Sequence, residues 1–241
     1  MSPIGHYLKK HGFERLEPKV VLFDMDGVLY DSMPNHAVAW HESMARFGIE
    51  MTRDDAYATE GQRGVDTIRQ MVRRQKGYDI TDDQAMAMYQ VKSDIFHAMP
   101  EAPLMPGAKD LMSKIRNSGL RIGIVTGSGQ RPLIQRLLHD YGEFVDEQHI
   151  VTAYDVELGK PHPDPYLMGL KKNGGLSPWQ AFVVENAPLG VEAGVAARIF
   201  TICVNTGNMA ESIFKERGAD IILCSMCQLR DCWEELLFSA V

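Results

Sequence analysis

Asp24 and Asp26 stand two residues apart, directly after the apolar run Val20 to Phe23 and directly before Gly27. Two carboxylates this close repel each other, so a cation is needed to hold both ionised. A hard divalent ion such as magnesium suits carboxylate oxygens. One such carboxylate can act as a nucleophile, and the other can move a proton. Three further stretches fit the same chemistry. Thr126-Gly127-Ser128-Gly129 follows an apolar run, and a hydroxyl beside a free backbone N–H can hold a phosphoryl oxygen. Gly159-Lys160-Pro161 sets a compact point charge in a proline-stiffened loop. Val183-Val184-Glu185-Asn186 ends another apolar run with two oxygen-bearing side chains.

These residues need elements to position them. Val20 to Phe23 is apolar on both faces, so it reads as a strand in the middle of a parallel sheet. Asp24 then lies at the carboxyl edge, where open α/β sheets bind ligands. From Leu104 onward, strand patterns at 122–125, 150–152, 181–185, 200–204 and 219–223 alternate with helical ones, the last of them a helix over 226–238. Between Met33 and Pro103 only helical patterns occur, including one along His36, Trp40, Met44 and Phe47 that Ser32 is placed to cap. The expected fold class is α/β: a Rossmann-like core with a parallel sheet plus an inserted all-helical cap. Residues 19–32 and 105–241 form the core domain, 33–104 the cap domain, and 1–18 an N-terminal appendage with one short helix. The hinge is expected at Ser32 to Pro34 and Met99 to Pro103.

Composition narrows the partners. A net charge of −7 disfavours a nucleic-acid partner, which calls for a basic face. An anionic substrate is compatible with it, since a metal and a few cationic side chains make a local positive site. No apolar run reaches bilayer length and no secretory signal is visible, so no membrane partner and a cytoplasmic location are expected. No obligate protein partner is evident. Cys224 and Cys227 have metal or redox spacing but no second pair or nearby histidine, and read as ordinary reduced cysteines.

Asp24-Met25-Asp26-Gly27-Val28-Leu29, with the three later stretches in order, resembles the haloacid-dehalogenase-like (HAD) hydrolases, and the helical insertion resembles their β-phosphoglucomutase-like branch. The resemblance implies a magnesium-dependent enzyme that transfers a phosphoryl group through an aspartyl phosphate. Asp24 is then the nucleophile and Asp26 the acid–base. Lys160 neutralises Asp24 and the transferring group, and Thr126 with the Gly127 amide holds phosphate. Asp24, the Asp26 backbone carbonyl and Asn186 bind the metal. Asn186 stands where the family usually has an acid, and Glu185 is expected to compensate through a metal-bound water.

The cap must select the substrate. In this branch the loop corresponding to Ala58–Val65 carries basic residues that grip a distal phosphate. Here Glu60 stands where a lysine is expected and Gly64 where an arginine is, with Arg63 one position away as a partial substitute. Glu60 is expected to reach the metal. A Glu-Gly pair here and an Asn in the fourth motif are similar to a bacterial inorganic pyrophosphatase of the same branch. Hydrolysis of pyrophosphate or another small phosphate is therefore the first reading. The alternatives are β-phosphoglucomutase or a sugar-phosphate phosphatase, and a non-catalytic binding member is set aside. His36 and Lys92 are expected to meet the substrate as the cap closes.

Overall fold

Six strands form one parallel sheet: β1 (Val20–Phe23), β2 (Arg121–Val125), β3 (Ile150–Val151), β4 (Ala181–Glu185), β5 (Phe200–Val204) and β6 (Ile221–Leu223). The computed structural model describes residues 2–240. The sheet order is β3-β2-β1-β4-β5-β6, so β1 lies inside it, between β2 and β4. The alternation of side chains along β1 serves both faces. Val21 and Phe23 join one apolar cluster, and Val20 and Leu22 join the other. This is why the run carries no polar residue until Asp24.

Phe23 is in register with Ile124 of β2 and Val184 of β4. Asp24, Val125 and Glu185 therefore end at one level of the sheet. The chain leaves β1 for β2 and β3 on one side, then crosses to β4 on the other. The reversal opens a crevice at the carboxyl ends of these strands.

The insertion is helical throughout: Met33–Ala45, Arg53–Ala58, Gly64–Lys76 and Asp82–His97. These helices share their own buried cluster, including Trp40, Met44, Tyr57, Ile68, Met71 and Met88. The two chain crossings between insertion and core run side by side. The Asp31 amide donates to the Pro103 carbonyl at 2.9 Å, and the Met105 amide donates to the Leu29 carbonyl at 2.8 Å.

The N-terminal helix is Pro3–His11. It does not stand off the core as an appendage. Tyr7 is fully buried, packs edge-on against Phe200, and donates to the Arg198 carbonyl at 2.9 Å. Two short helices carry no expectation from the sequence: Arg53–Ala58, opened by a Thr52–Asp55 capping box, and Glu211–Glu216. The last helical stretch is two helices, Met226–Asp231 and Trp233–Ala240, where the sequence reads as one. All four cysteines are free. Among the described residues, no helix is long and apolar enough to cross a membrane.

Candidate active site

The three strand ends deliver Asp24, Thr126 and Glu185 to one crevice, and Lys160 closes it from below. Lys160 is 2% exposed. Its ammonium donates to Asp24 Oδ1 at 2.6 Å, to Glu185 Oε1 at 2.6 Å and to the Val125 carbonyl at 2.9 Å. All three of its N–H bonds are therefore used within the protein. The expected contact of Lys160 with Asp24 is present, and its remaining donors are turned to Glu185 and the Val125 carbonyl.

Glu185 is equally committed. Oε1 also accepts from the Tyr166 hydroxyl at 2.6 Å, and Oε2 accepts from the amides of Asn186 at 3.0 Å and Ala187 at 3.3 Å. Four donors fill a carboxylate's lone-pair positions. Glu185 does not fit its expected place at a metal, because it is the buried counter-charge of Lys160. Burial pushes the Asp24 carboxyl well up, against the pull of Lys160 and helped by Glu185 and Asp26. Asp24 and Glu185 outweigh burial at Lys160 and hold its ammonium above the usual lysine range.

Negative charge is thus in surplus, with Asp24, Asp26 and Glu185 around one ammonium. Asn186 Oδ1 is buried and has no hydrogen-bond partner. The Asp26 backbone carbonyl accepts no backbone hydrogen bond among the described residues. Gly27, at φ +79°, lies over the Asn186 amide; a Cβ there would come within 2.0 Å of Asn186 Nδ2. A side chain in this turn would collide with the Asn186 amide group, so the position requires glycine. An anionic carboxylate, an orphaned amide oxygen and a free carbonyl suit a hard cation. Among the described residues no group of three or more His, Cys, Asp or Glu converges as a metal site. A cation here must therefore use the amide and carbonyl oxygens beside Asp24.

Asp26 is held from the cap side. Ser32 donates to Asp26 Oδ1 at 2.6 Å, and His36 Nε2 lies 3.2 Å from the same oxygen. Ser32 starts its helix in a helical conformation without a side-chain cap, and its hydroxyl turns to Asp26 instead. Lys92, 3% exposed, reaches His36 Nδ1 at 2.7 Å. With Lys92 donating to Nδ1, Nε2 carries the proton toward Asp26. Burial raises the Asp26 carboxyl, but His36, Ser32 and Lys92 together bring it below the usual range. Burial lowers Lys92 to about 8, against the pull of Glu60 and Asp26. Its ammonium sits 5.0 Å from the Trp40 ring and 4.8 Å from the Phe96 ring.

The cap loop presses onto the core. A Cβ at Gly127 would meet the Gly61 carbonyl at 2.7 Å, and a Cβ at Gly61 would meet Lys160 Cδ at 3.3 Å. Beneath it lies a cavity lined by Asp24, Asp26, His36, Lys92, Thr126 and Gly127, with Glu60, Gln62, Tyr89 and Gln130 on the other walls. Thr126 Oγ1 accepts from the Ser128 amide at 3.0 Å, which leaves its proton available. The Gly127 amide donates to no backbone carbonyl among the described residues.

Two expected cap contacts differ. Arg63 turns onto its own helix, with Nε 2.8 Å from Asp66 Oδ2, and does not line the cavity. Its sequence position gave reach but not direction. Glu60 lines the cavity, but its charged neighbours are His36, Asp26 and Lys92, and burial raises its carboxyl. It sits on the side of the acid–base group. Four residues of the site carry no role from the sequence: Ser32, Tyr166, Tyr89 and Gln130. Tyr166 follows six residues after Lys160, and Gln130 comes directly after Gly129, so both lie beside a chemistry-bearing stretch.

Residues 18–198 match the family described as haloacid dehalogenase-like hydrolase. The chain belongs to this family. It is 33% identical over 187 residues to hexitol phosphatase A of Escherichia coli (strain K12), covering 78% of this chain and 83% of the relative. It is 29% identical over 213 residues to validoxylamine A 7'-phosphate phosphatase of Streptomyces hygroscopicus subsp. limoneus, covering 88% and 96%. A solved structure from Bacteroides vulgatus, provisionally named a β-phosphoglucomutase, superposes with a TM-score of 0.94 at 47% identity, covering 99% of this chain and 96% of that one. The protein is an enzyme of phosphohydrolase or phosphomutase type acting on a small phosphate. The finer likeness to an inorganic pyrophosphatase has no support in these relatives' names.

Proposed function

We propose that this protein removes phosphate from a small hydroxylated phosphate monoester, a sugar or polyol phosphate. One observation carries the reading. Arg63 is paired with Asp66, and the cap's lysine at the cavity, Lys92, is buried against His36 and the Trp40 and Phe96 rings, so among the described residues the cap side presents no arginine and no cluster of cations to grip a second phosphate. Pyrophosphate and a sugar bisphosphate each present two. The names of the phosphatase relatives agree with a monoester.

The chemistry follows from the side chains. Asp24 Oδ2, which accepts no hydrogen bond among the described residues while Oδ1 is held by Lys160, attacks phosphorus in line. The bond from phosphorus to the leaving oxygen breaks, and Asp26 gives that oxygen a proton. A phosphoryl dianion arriving beside Asp26 raises its carboxyl and so supplies the protonated form. Water then attacks phosphorus, Asp26 takes its proton, and inorganic phosphate leaves with Asp24 restored. Thr126 and the Gly127 amide donate to the phosphoryl oxygens. Magnesium, held by the Asp24 carboxylate, the Asp26 carbonyl and Asn186 Oδ1, supplies positive charge to those oxygens when bound.

The test is phosphate release with magnesium from sorbitol 6-phosphate, glucose 6-phosphate and inorganic pyrophosphate, beside conversion of β-glucose 1-phosphate primed with glucose 1,6-bisphosphate. The monoesters should give the highest kcat/KM. A higher value for pyrophosphate, or efficient formation of glucose 6-phosphate, would replace this reading with hydrolysis of pyrophosphate or with a mutase.

A further inference from the structure

Gln130 is tied into the cavity by two hydrogen bonds. Its amide N–H donates to Ser128 Oγ at 3.3 Å, which fixes the loop. Its Nε2 donates to the Tyr89 hydroxyl at 3.1 Å. Its Oε1 is buried and has no partner, although Gln130 lines the cavity beside Thr126 and Ser128. A buried acceptor left unpaired is unfavourable until a donor arrives.

Tyr89 belongs to the cap and Gln130 to the core, so their bond spans the two. Tyr89 reaches it by occupying the space above Gly64. A Cβ at Gly64 would lie 2.1 Å from the Tyr89 ring. The position where the loop lacks a side chain is therefore filled by an aromatic ring whose hydroxyl orients Gln130. The only lysine or arginine on the described walls is Lys92, which is bonded to His36, while Arg63 bonds Asp66 outside the cavity. Glu60 on the same cavity contributes a further carboxylate.

We propose that Gln130, oriented by Tyr89 across the closed cap, reads a hydroxyl of the substrate's leaving group through Oε1. A hydroxyl can donate to that oxygen. A second phosphate at neutral pH presents acceptors only and meets it lone pair to lone pair. The inference rests on the monoesterase reading and deepens it: the preferred substrate is a monophosphate whose leaving group is neutral and polyhydroxylated. Gln130 binds the leaving group, and Tyr89 and Gly64 are positioning residues.

Sorbitol 6-phosphate and n-hexyl phosphate test this, since they match in chain length and differ in hydroxyls. Wild-type protein should favour sorbitol 6-phosphate in kcat/KM, a comparison that needs no variant. Gln130→Met, similar in length but without the acceptor, should cut that preference about tenfold. Gln130→Glu keeps an acceptor and should recover part of it. Tyr89→Phe should lower the preference about threefold, mainly through KM, because it frees Gln130 without removing it. Equal wild-type rates on the two substrates, or an unchanged preference in Gln130→Met, would overturn the proposal. Wild-type protein that releases phosphate from pyrophosphate and from neither monoester would instead remove the reading beneath it, and the proposal with it.

Discussion

Two lysines are buried in this protein to almost the same degree, and they do opposite things. Lys160 lies in the core between Asp24 and Glu185, 2.6 Å from an oxygen of each. Lys92 lies in the cap against His36 and the rings of Trp40 and Phe96. Desolvation opposes the charge on both. At Lys160 two carboxylates overcome it, and the ammonium is held above the usual lysine range. At Lys92 the carboxylates Glu60 and Asp26 act without a direct salt bridge, burial wins, and the group titrates at about 8. Burial alone therefore does not set a lysine's role. The core lysine is a fixed countercharge that orders two acids, whereas the cap lysine loses its charge just above neutral pH and depends on what the cap brings near it.

Breaking the core pair should have the largest effect. Lys160→Met leaves Asp24 and Glu185 buried without their cation, so a loss of about 3–5 kcal/mol in urea unfolding is expected, with turnover almost abolished. Adding Glu185→Gln should recover part of the stability and none of the turnover. A midpoint close to wild type would mean that Lys160 is not the countercharge described. Asp24→Asn separates the two contributions. It should lower kcat by roughly 10⁴-fold or more while leaving the protein at least as stable as wild type, since it removes one of three crowded carboxylates.

The cap lysine should behave differently. Lys92→Met is expected to lower kcat about 10- to 100-fold by loosening the His36–Asp26 contact. At pH 7 it should be as stable as wild type or more so. The sign follows from linkage: a lysine held near 8 when folded and near the ordinary lysine value when unfolded penalises the fold below about 8. The penalty fades as pH rises toward about 10, and reaches at most about 3 kcal/mol. Urea midpoints at pH 7 and pH 10 measure it. A variant much less stable than wild type at pH 7 would place Lys92 with Lys160 as a structural ion.

Asp220 offers the smallest test of the same rule, remote from both lysines. Burial lifts its carboxyl to about 6, with the Thr201 amide opposing. A raised folded value gives stability that is complete below about 4 and lost as pH rises through 6. Asp220→Asn keeps the acceptor for Thr201 and should stabilise the protein by about 1–2 kcal/mol at pH 7.5, with no difference at pH 4. An equal gain at both values would trace the effect to packing.

Much of this was legible in the chain before it folded, and the failures share one cause. The strands Val20–Phe23, Ala181–Glu185 and Phe200–Val204 have the bounds their apolar runs imply, because a strand covered on both faces leaves no position for a polar residue. The residue after each such run sits where the sheet ends, which is why Asp24 and Asn186 could be assigned to the crevice. Arg53–Ala58 went unread although its Thr52–Asp55 capping box is visible; a helix this short has too few turns to show a face.

The amino-acid sequence by itself determined the parallel sheet, the helical insertion and the acids, hydroxyl and lysine at its mouth. These follow from local pattern and from the geometry at a strand's end. Only the tertiary structure decided the partner of each charge. Arg63 chose Asp66 in its own helix, Glu185 took Lys160, Glu60 joined Lys92 and His36, and Ser32 gave its hydroxyl to Asp26. The physical reason is that an ion pair or hydrogen bond is set by distance and by the dielectric around it. Both arise when residues far apart in the chain are packed together.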